Sequence, residues 1–129
     1  MMSAPFPMVV SEVRSIGCVD LDPLDTELPD DLEHFGIYVD VYAGIMGEPG
    51  GYLFGVTVGT PSWQASRVAN GEYLFPRHHL IVKRFHYETI RQALLKQFGG
   101  VMGHTWAEVA GRLARWGAWE FEDYRPLQE

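Results

Sequence analysis

The sequence has one cysteine, few basic residues in its first half and no long hydrophobic run. With Cys18 alone, no intramolecular disulfide can form, as is common in proteins of a reducing compartment. No stretch approaches the roughly 20 apolar residues of a membrane helix, and the first ten residues lack the parts of a secretion signal. These absences predict a single cytoplasmic domain over residues 1–129, with an N-terminal extension at residues 1–7.

The scarcity of basic residues makes the charge uneven along the chain. Residues 1–72 carry 11 acids against Arg14 and Arg67, a net charge of −9, whereas residues 73–129 carry 6 acids against 8 bases. Phosphate binding requires a basic face, so this composition argues against nucleic-acid binding. A negative surface attracts a basic partner instead.

Apolar periodicity predicts an α+β fold. Alternation predicts five strands, over residues 8–18, 35–46, 52–60, 78–85 and 118–124. Helical spacing predicts three helices, over residues 60–71, 87–98 and 105–117. This order predicts a mostly antiparallel sheet with two to three helices packed on one face.

Local signals predict where the helices begin and end. Thr60 is expected to cap the first helix, and Asn70-Gly71 to end it. Thr105 and Glu108 form a capping box for the last helix, and Gly117 is expected to stop it. One stripe of that helix should face the core: Trp106, Val109, Ala110, Leu113 and Trp116.

An acidic loop, residues 19–34, lies between the first two predicted strands. It contains two prolines and no base, so no regular structure is expected. Its seven acids are Asp20, Asp22, Asp25, Glu27, Asp30, Asp31 and Glu33. Two interpretations stay open: a solvated loop that spreads its like charges, or a surface that meets a cationic partner such as the nucleic-acid cleft of a nuclease.

The sequence predicts no catalytic site, metal site or cofactor. Counted from Asp20, a calcium loop would place an oxygen ligand and then glycine where Leu24 and Asp25 stand. Adjacent His78 and His79 would point to opposite faces of a strand, which disfavours a shared metal. A small hydrolase remains an alternative, and it would require a cleft that gathers these histidines with Asp40.

In the sequence "WEFEDY" near the C-terminus, alternate residues would lie on opposite faces of a strand. On a strand, Trp119 and Phe121 would face the core, and Glu120 and Glu122 would face solvent. For the carboxylates of this segment, Asp123 included, a surface role and a partner role both stay open.

Several segments together resemble the immunity protein 8 family. They are "TPSWQ", "RHHLIVKRFHYETIRQAL", "HTWAEVAGRLARWGAWEFEDY" and the strand that follows the acidic loop. The resemblance covers roughly residues 8–124 and rests on the order and spacing of these segments. It implies a small cytoplasmic α+β protein that protects bacteria by binding a polymorphic or contact-dependent toxin, without enzymatic activity.

The resemblance and the charge together predict a partner surface. The partner is expected to be a cognate protein toxin, such as a basic nuclease domain, rather than nucleic acid or membrane. Residues 20–33 of the acidic loop are expected at the interface first, and Glu120, Glu122 and Asp123 second. A structural assembly subunit is a third alternative, and the oligomeric state stays open.

Overall fold

A computed structural model describes residues 8–120, and the fold in this range is α+β, as predicted. The strands are β1 (Val9–Gly17), β2 (Gly36–Ile45), β3 (Tyr52–Gly59), β4 (His79–Ile81), β5 (Met102–Gly103) and β6 (Ala118–Trp119). The helices are α1 (Pro61–Gly71), α2 (Tyr87–Phe98) and α3 (Trp106–Leu113).

The strands form one mixed sheet in the order β4-β3-β2-β1-β5. All pairings are antiparallel except that of β3 with β4. The edge of β3 that faces away from β2 is divided between two strands. Its end pairs with β4 at residues 57–59, and its beginning pairs with β6, where Phe54 lies opposite Trp119.

One face of the sheet carries the core. Val39, Val41 and Phe54 lie on this face and are completely buried. Helices α2 and α3 pack here, and the Phe54 and Phe98 rings lie 5.8 Å apart. Because apolar side chains alternate with polar ones along both central strands, this packing confirms the half-buried strands and the amphipathic helices that the sequence predicts.

The opposite face of the sheet, called the outer face below, is partly open within the described residues 8–120, where Tyr38 is 51% exposed. Its central cross-strand pairs are Tyr38 with Thr57, Asp40 with Gly55 and Tyr42 with Leu53. Helix α1 contributes Trp63 and Arg67 at one end of this face, where the Trp63 ring lies against Gly36 and Gly59. A β-carbon at Gly36 would stand 2.0 Å from that ring, so the close approach requires glycine.

Three strands differ from the sequence-based expectation. Within the described residues, the strand predicted over residues 118–124 is limited to Ala118–Trp119, with Glu120 in a turn, and residues 121–124 lie outside them. The strand predicted over residues 78–85 is confined to His79–Ile81, because Val82 and Phe85 both turn into the core at a spacing that a strand does not allow. Strand β5 was not predicted. It has two residues, which pair with Val9 and Val10, and a ladder this short has no sequence pattern of its own.

Helix boundaries are mostly as predicted, with two corrections. The capping box of α3 is confirmed, since the Glu108 N–H donates to Thr105 Oγ1 at 3.2 Å. Thr60 precedes α1, but its hydroxyl makes no cap bond. Helix α1 ends at Gly71 as expected, yet the residue that takes the left-handed conformation is Glu72, with φ of 70°.

The stripe predicted for α3 is wrong at Trp116. The helix ends at Leu113, so Trp116 lies in the following turn and is 50% exposed. Gly117 consequently does not stop the helix. It allows the chain to pass close to the core, because a β-carbon there would stand 2.9 Å from the Phe98 ring and 3.0 Å from Phe54. None of the helices within residues 8–120 has the length and apolar composition needed to cross a membrane.

Candidate partner-binding site

The acidic loop is irregular, as predicted, but three leucines attach it to the core. Leu24 is buried, and Leu21 and Leu32 pack against the core cluster. All seven acids of the loop are exposed. The loop therefore presents its carboxylates from an anchored backbone and not from a freely moving segment, which lowers the entropy that a partner would have to remove on binding.

Backbone hydrogen bonds shape the loop at both ends. The N–H groups of Thr26 and Glu27 donate to the Pro23 carbonyl, and the Glu33 N–H donates to Asp31 Oδ1 at 2.9 Å. The Phe85 N–H donates to the Leu32 carbonyl at 2.7 Å, which joins the loop to the segment before α2. Asp31 thus has a structural role within the loop as well as an exposed carboxylate.

The "TPSWQ" segment holds the end of the acidic loop in place. The Phe35 N–H donates to the buried Thr60 Oγ1 at 3.2 Å, and the Thr60 N–H donates to the Phe35 carbonyl at 3.1 Å. The Ser62 hydroxyl donates to the Glu33 carbonyl at 3.1 Å, and His34 Nδ1 lies 2.9 Å from Ser62 Oγ. The hydroxyl that sequence reasoning assigned to helix capping therefore fixes the loop.

The acidic loop borders two concavities on the outer face. One, of about 330 Å³, is lined by Asp22 of the loop and by Asp40 and Tyr42 of β2, with Leu53 of β3. The other, of about 290 Å³, is lined by Asp20, Tyr38, Thr57, Trp63 and Arg67, among others. The fold thus brings two of the predicted loop acids together with the exposed Tyr38, the half-buried Tyr42 and Asp40.

Tyr38 is the most prominent aromatic residue of this face, with 51% exposure. Its hydroxyl lies over Gly55, where a β-carbon would stand 1.6 Å from the phenol oxygen. Partial burial, and secondarily the Asp40 carboxylate, raise the pKa of the Tyr38 phenol above its usual value. The phenol therefore stays neutral at physiological pH and remains a hydrogen-bond donor.

The second predicted group of acids is only partly described. Glu120 is exposed, and its Oε1 accepts from the Leu53 N–H at 3.1 Å at the edge of β3. Phe121, Glu122 and Asp123 lie outside the described residues 8–120. Glu120 adjoins the outer face through Leu53, although its carboxylate also satisfies a backbone group of the sheet.

The other predicted loop acids are spread around the two concavities. Asp25, Glu27 and Asp30 are exposed but line neither of them. Sequence reasoning missed Tyr42 and Leu53 as members of a candidate site. The alternation of β2 does place Tyr38, Asp40 and Tyr42 on the exposed face, but their proximity to Asp20 and Asp22 depends on the path of the loop.

The residues of the hydrolase alternative do not converge. Asp40 lines a concavity of the outer face, whereas His79 Nδ1 lies 2.5 Å from Gln64 Nε2. His78 Nε2 lies 2.8 Å from the carbonyl oxygen of Ala114. Within residues 8–120, no group of three or more His, Cys, Asp or Glu side chains is arranged to hold a metal ion.

An exposed sheet face with tyrosines, bordered by an anchored acidic loop, is a surface suited to binding a protein partner. The fold and this site together define a small α+β binding protein. The chain belongs to the immunity protein 8 family, whose model, described as Immunity protein 8, matches residues 11–124. Membership implies an immunity protein directed against a cognate toxin, in a family that is generally non-enzymatic.

The family match spans all the elements described above, from within β1 to beyond β6. No curated protein and no solved structure matches the chain. The residues that contact the toxin therefore have to be argued from the geometry of this chain alone.

Proposed function

We propose that the protein neutralises its toxin by occlusion, with the acidic loop and the outer face of the sheet as the contact surface. The observation that carries this proposal is the position of Asp20 and Asp22, which border two concavities that are also lined by the exposed Tyr38 and the half-buried Tyr42. Carboxylates at the rim and aromatics at the centre are the usual composition of a tight protein interface.

The two kinds of residue have different roles in this proposal. The loop acids attract a basic toxin surface, such as the substrate cleft of a nuclease domain, and so increase the association rate. Tyr38 and Tyr42 supply apolar contact area together with a hydroxyl, at little cost in side-chain entropy. Glu120, Glu122 and Asp123 form the second part of the proposed contact, and we place the encounter in the cytoplasm.

The proposal can be tested with the toxin domain encoded beside the gene, by calorimetry and by stopped-flow association. Asp20→Asn with Asp22→Asn is expected to slow association several-fold and to reduce its dependence on salt, because rim charges act mainly on the association rate. Tyr38→Ala is expected to accelerate dissociation by about tenfold or more, as a central aromatic anchor does.

Glu72→Gln with Glu48→Gln is the matched control. It removes the same charge at exposed positions that line neither concavity of the outer face. If the control slows association as much as the loop variant, only net charge matters and the proposed surface is wrong. No binding of the wild-type protein to that toxin would refute the proposal altogether.

A further inference from the structure

A second surface, formed by residues distant in sequence from the acidic loop, is mainly apolar and carries a basic residue instead of acids. A pocket of about 230 Å³ lies between β4, α2 and the turn after α3. We call it the Trp116 pocket. Its lining is mainly apolar, with Lys96 and His79 as its ionisable residues: Val56, His79, Leu80, Ala93, Leu94, Lys96, Gln97, Phe98 and Trp116. Among residues 8–120 no acidic side chain lines it, so the pocket suits an apolar group that is accompanied by negative charge.

An exposed aromatic segment, residues 73–77, leads into the wall of this pocket. Phe75 is 85% exposed and Tyr73 71% exposed, and their rings meet edge to face at 5.8 Å. The segment is bounded by Glu72 and His78, both with positive φ. His78 also joins it to the end of α3 through the carbonyl of Ala114. Two neighbouring exposed aromatic rings form an apolar patch, which is a mark of an interaction surface.

The part of the chain that supplies most of this pocket's lining is rich in basic residues. Residues 73–120 contain seven bases and three acids. Two of the acids, Glu88 and Glu108, are paired with Arg91 and Arg112. The Trp116 pocket therefore lies in the basic half of a chain whose other half carries a net charge of −9.

The acidic loop has the chemistry that complements this pocket. Leu28, which is 62% exposed, lies near the middle of the loop with Glu27 before it and Asp30 and Asp31 after it. The loop's other leucines are at least partly buried, so Leu28 is the one that is available to a partner. Because Leu28 is exposed, it does not occupy the Trp116 pocket of its own chain.

We propose that the Trp116 pocket receives Leu28 of a second copy of this chain, with the flanking loop acids facing Lys96. The contact joins two different surfaces, so it is head to tail, and in a pair one copy keeps a free pocket while the other keeps a free loop for further contacts. The association therefore continues beyond a dimer unless it closes into a ring. It covers the same loop that the proposed function assigns to the toxin, and on that proposal toxin binding and self-association exclude each other.

Self-association is measured on the purified protein by sedimentation velocity, without toxin, so its outcome does not depend on the proposed function. At low salt the weight-average sedimentation coefficient should rise with protein concentration, and at high salt it should fall toward the monomer value. Leu28→Ser and Lys96→Glu should each weaken association by about tenfold or more, which corresponds to about 1.4 kcal/mol.

Two matched controls separate the contact from general surface effects. Met46→Ser removes an exposed apolar side chain from the β2–β3 turn, and Lys83→Glu reverses a charge that does not line the pocket. Both controls should associate like the wild type. Circular dichroism and the urea midpoint check that every variant is folded.

The decisive measurement mixes the two defective variants. Leu28→Ser retains an intact pocket and Lys96→Glu retains an intact loop, so a one-to-one mixture should form a heterodimer that grows no further. A wild-type protein that stays monomeric at all concentrations at low salt would overturn the proposal. So would two variants that do not associate when mixed, or pocket and loop variants that associate as strongly as the wild type.

Discussion

Ser11 Oγ donates a hydrogen bond of 2.6 Å to the carbonyl oxygen of Phe98, across 87 positions of the chain. The same hydroxyl accepts from the Val101 N–H at 2.9 Å, and Ser11 is completely buried. One side chain thus donates to the last carbonyl of α2 and accepts from the backbone N–H of Val101, just after the helix. A helix end that is buried needs such a partner, because its terminal carbonyls have none within the helix.

Removal of this hydroxyl should destabilise the protein. Ser11→Ala leaves the Val101 N–H and the Phe98 carbonyl without their partner, and we expect a loss of about 1–3 kcal/mol in the free energy of unfolding. Urea denaturation measures the loss. Ser15→Ala, at an exposed position of the same strand, is the control and should change stability by less than about 0.5 kcal/mol. An equal effect of the two substitutions would contradict the structural role of Ser11.

Two glycines near the C-terminal helix should respond oppositely to alanine. Gly117→Ala places a methyl group 2.9 Å from the Phe98 ring and should destabilise by about 1–3 kcal/mol through overpacking. Gly111 lies within α3, and a β-carbon there would meet nothing within 4 Å. Gly111→Ala should therefore stabilise by about 0.5–1 kcal/mol, since alanine favours a helix interior. Thermal unfolding of both variants gives the comparison, and a shift of the same sign for both would refute it.

The hydroxyl of Thr60 should matter more for the acidic loop than for helix α1. Thr60→Val keeps the branched shape but leaves the buried Phe35 N–H without its acceptor, and we expect a loss of about 1–3 kcal/mol. Hydrogen exchange should accelerate at the Phe35 amide. Helix α1 should keep its amide protection, because the hydroxyl makes no cap bond. Thr57→Val, on the outer face, is the control, and fraying of α1 in the Thr60 variant would contradict the assignment.

His79 should make the protein less stable in mild acid. Burial, followed by the nearby charges of Arg67 and His78, lowers the pKa of His79 in the folded state. The unfolded chain therefore binds a proton at higher pH than the folded one, so stability falls as the pH drops below the unfolded pKa of about 6.5. In His79→Gln, the free energy of unfolding should decline less between neutral pH and about pH 5. His86→Gln is the control, because His86 is exposed and does not line the pocket that contains His79 and Lys96.

The sequence allows prediction of features that depend on local chemistry. The capping of the last helix by Thr105 and the alternating faces of β2 are both confirmed. In each case the residues that determine the structure lie within a few positions of one another. The alternation within residues 36–45 also predicts that Tyr38 and Tyr42 share the outer face, and they do.

Features that depend on distant partners were not predictable. Strand β5 exists because β1 provides a ladder for it, and β4 is short because Phe85 turns toward Phe35, whose ring lies 5.4 Å away. Thr60 stands at a typical helix-capping position in the sequence, yet its hydroxyl oxygen accepts from the Phe35 N–H instead. The candidate site has the same limitation, since nothing in the acidic loop indicates that Asp20 and Asp22 reach the outer face.

The divided edge of β3 has a consequence for the order of assembly during synthesis. Phe54 pairs with Trp119, so the first half of this edge stays uncovered until the chain has been made through residue 119. An uncovered strand edge is a template for pairing with other chains. Nascent chains on neighbouring ribosomes are therefore vulnerable to misassociation at Phe54 and Gly55, and pairing with β6 ends that period.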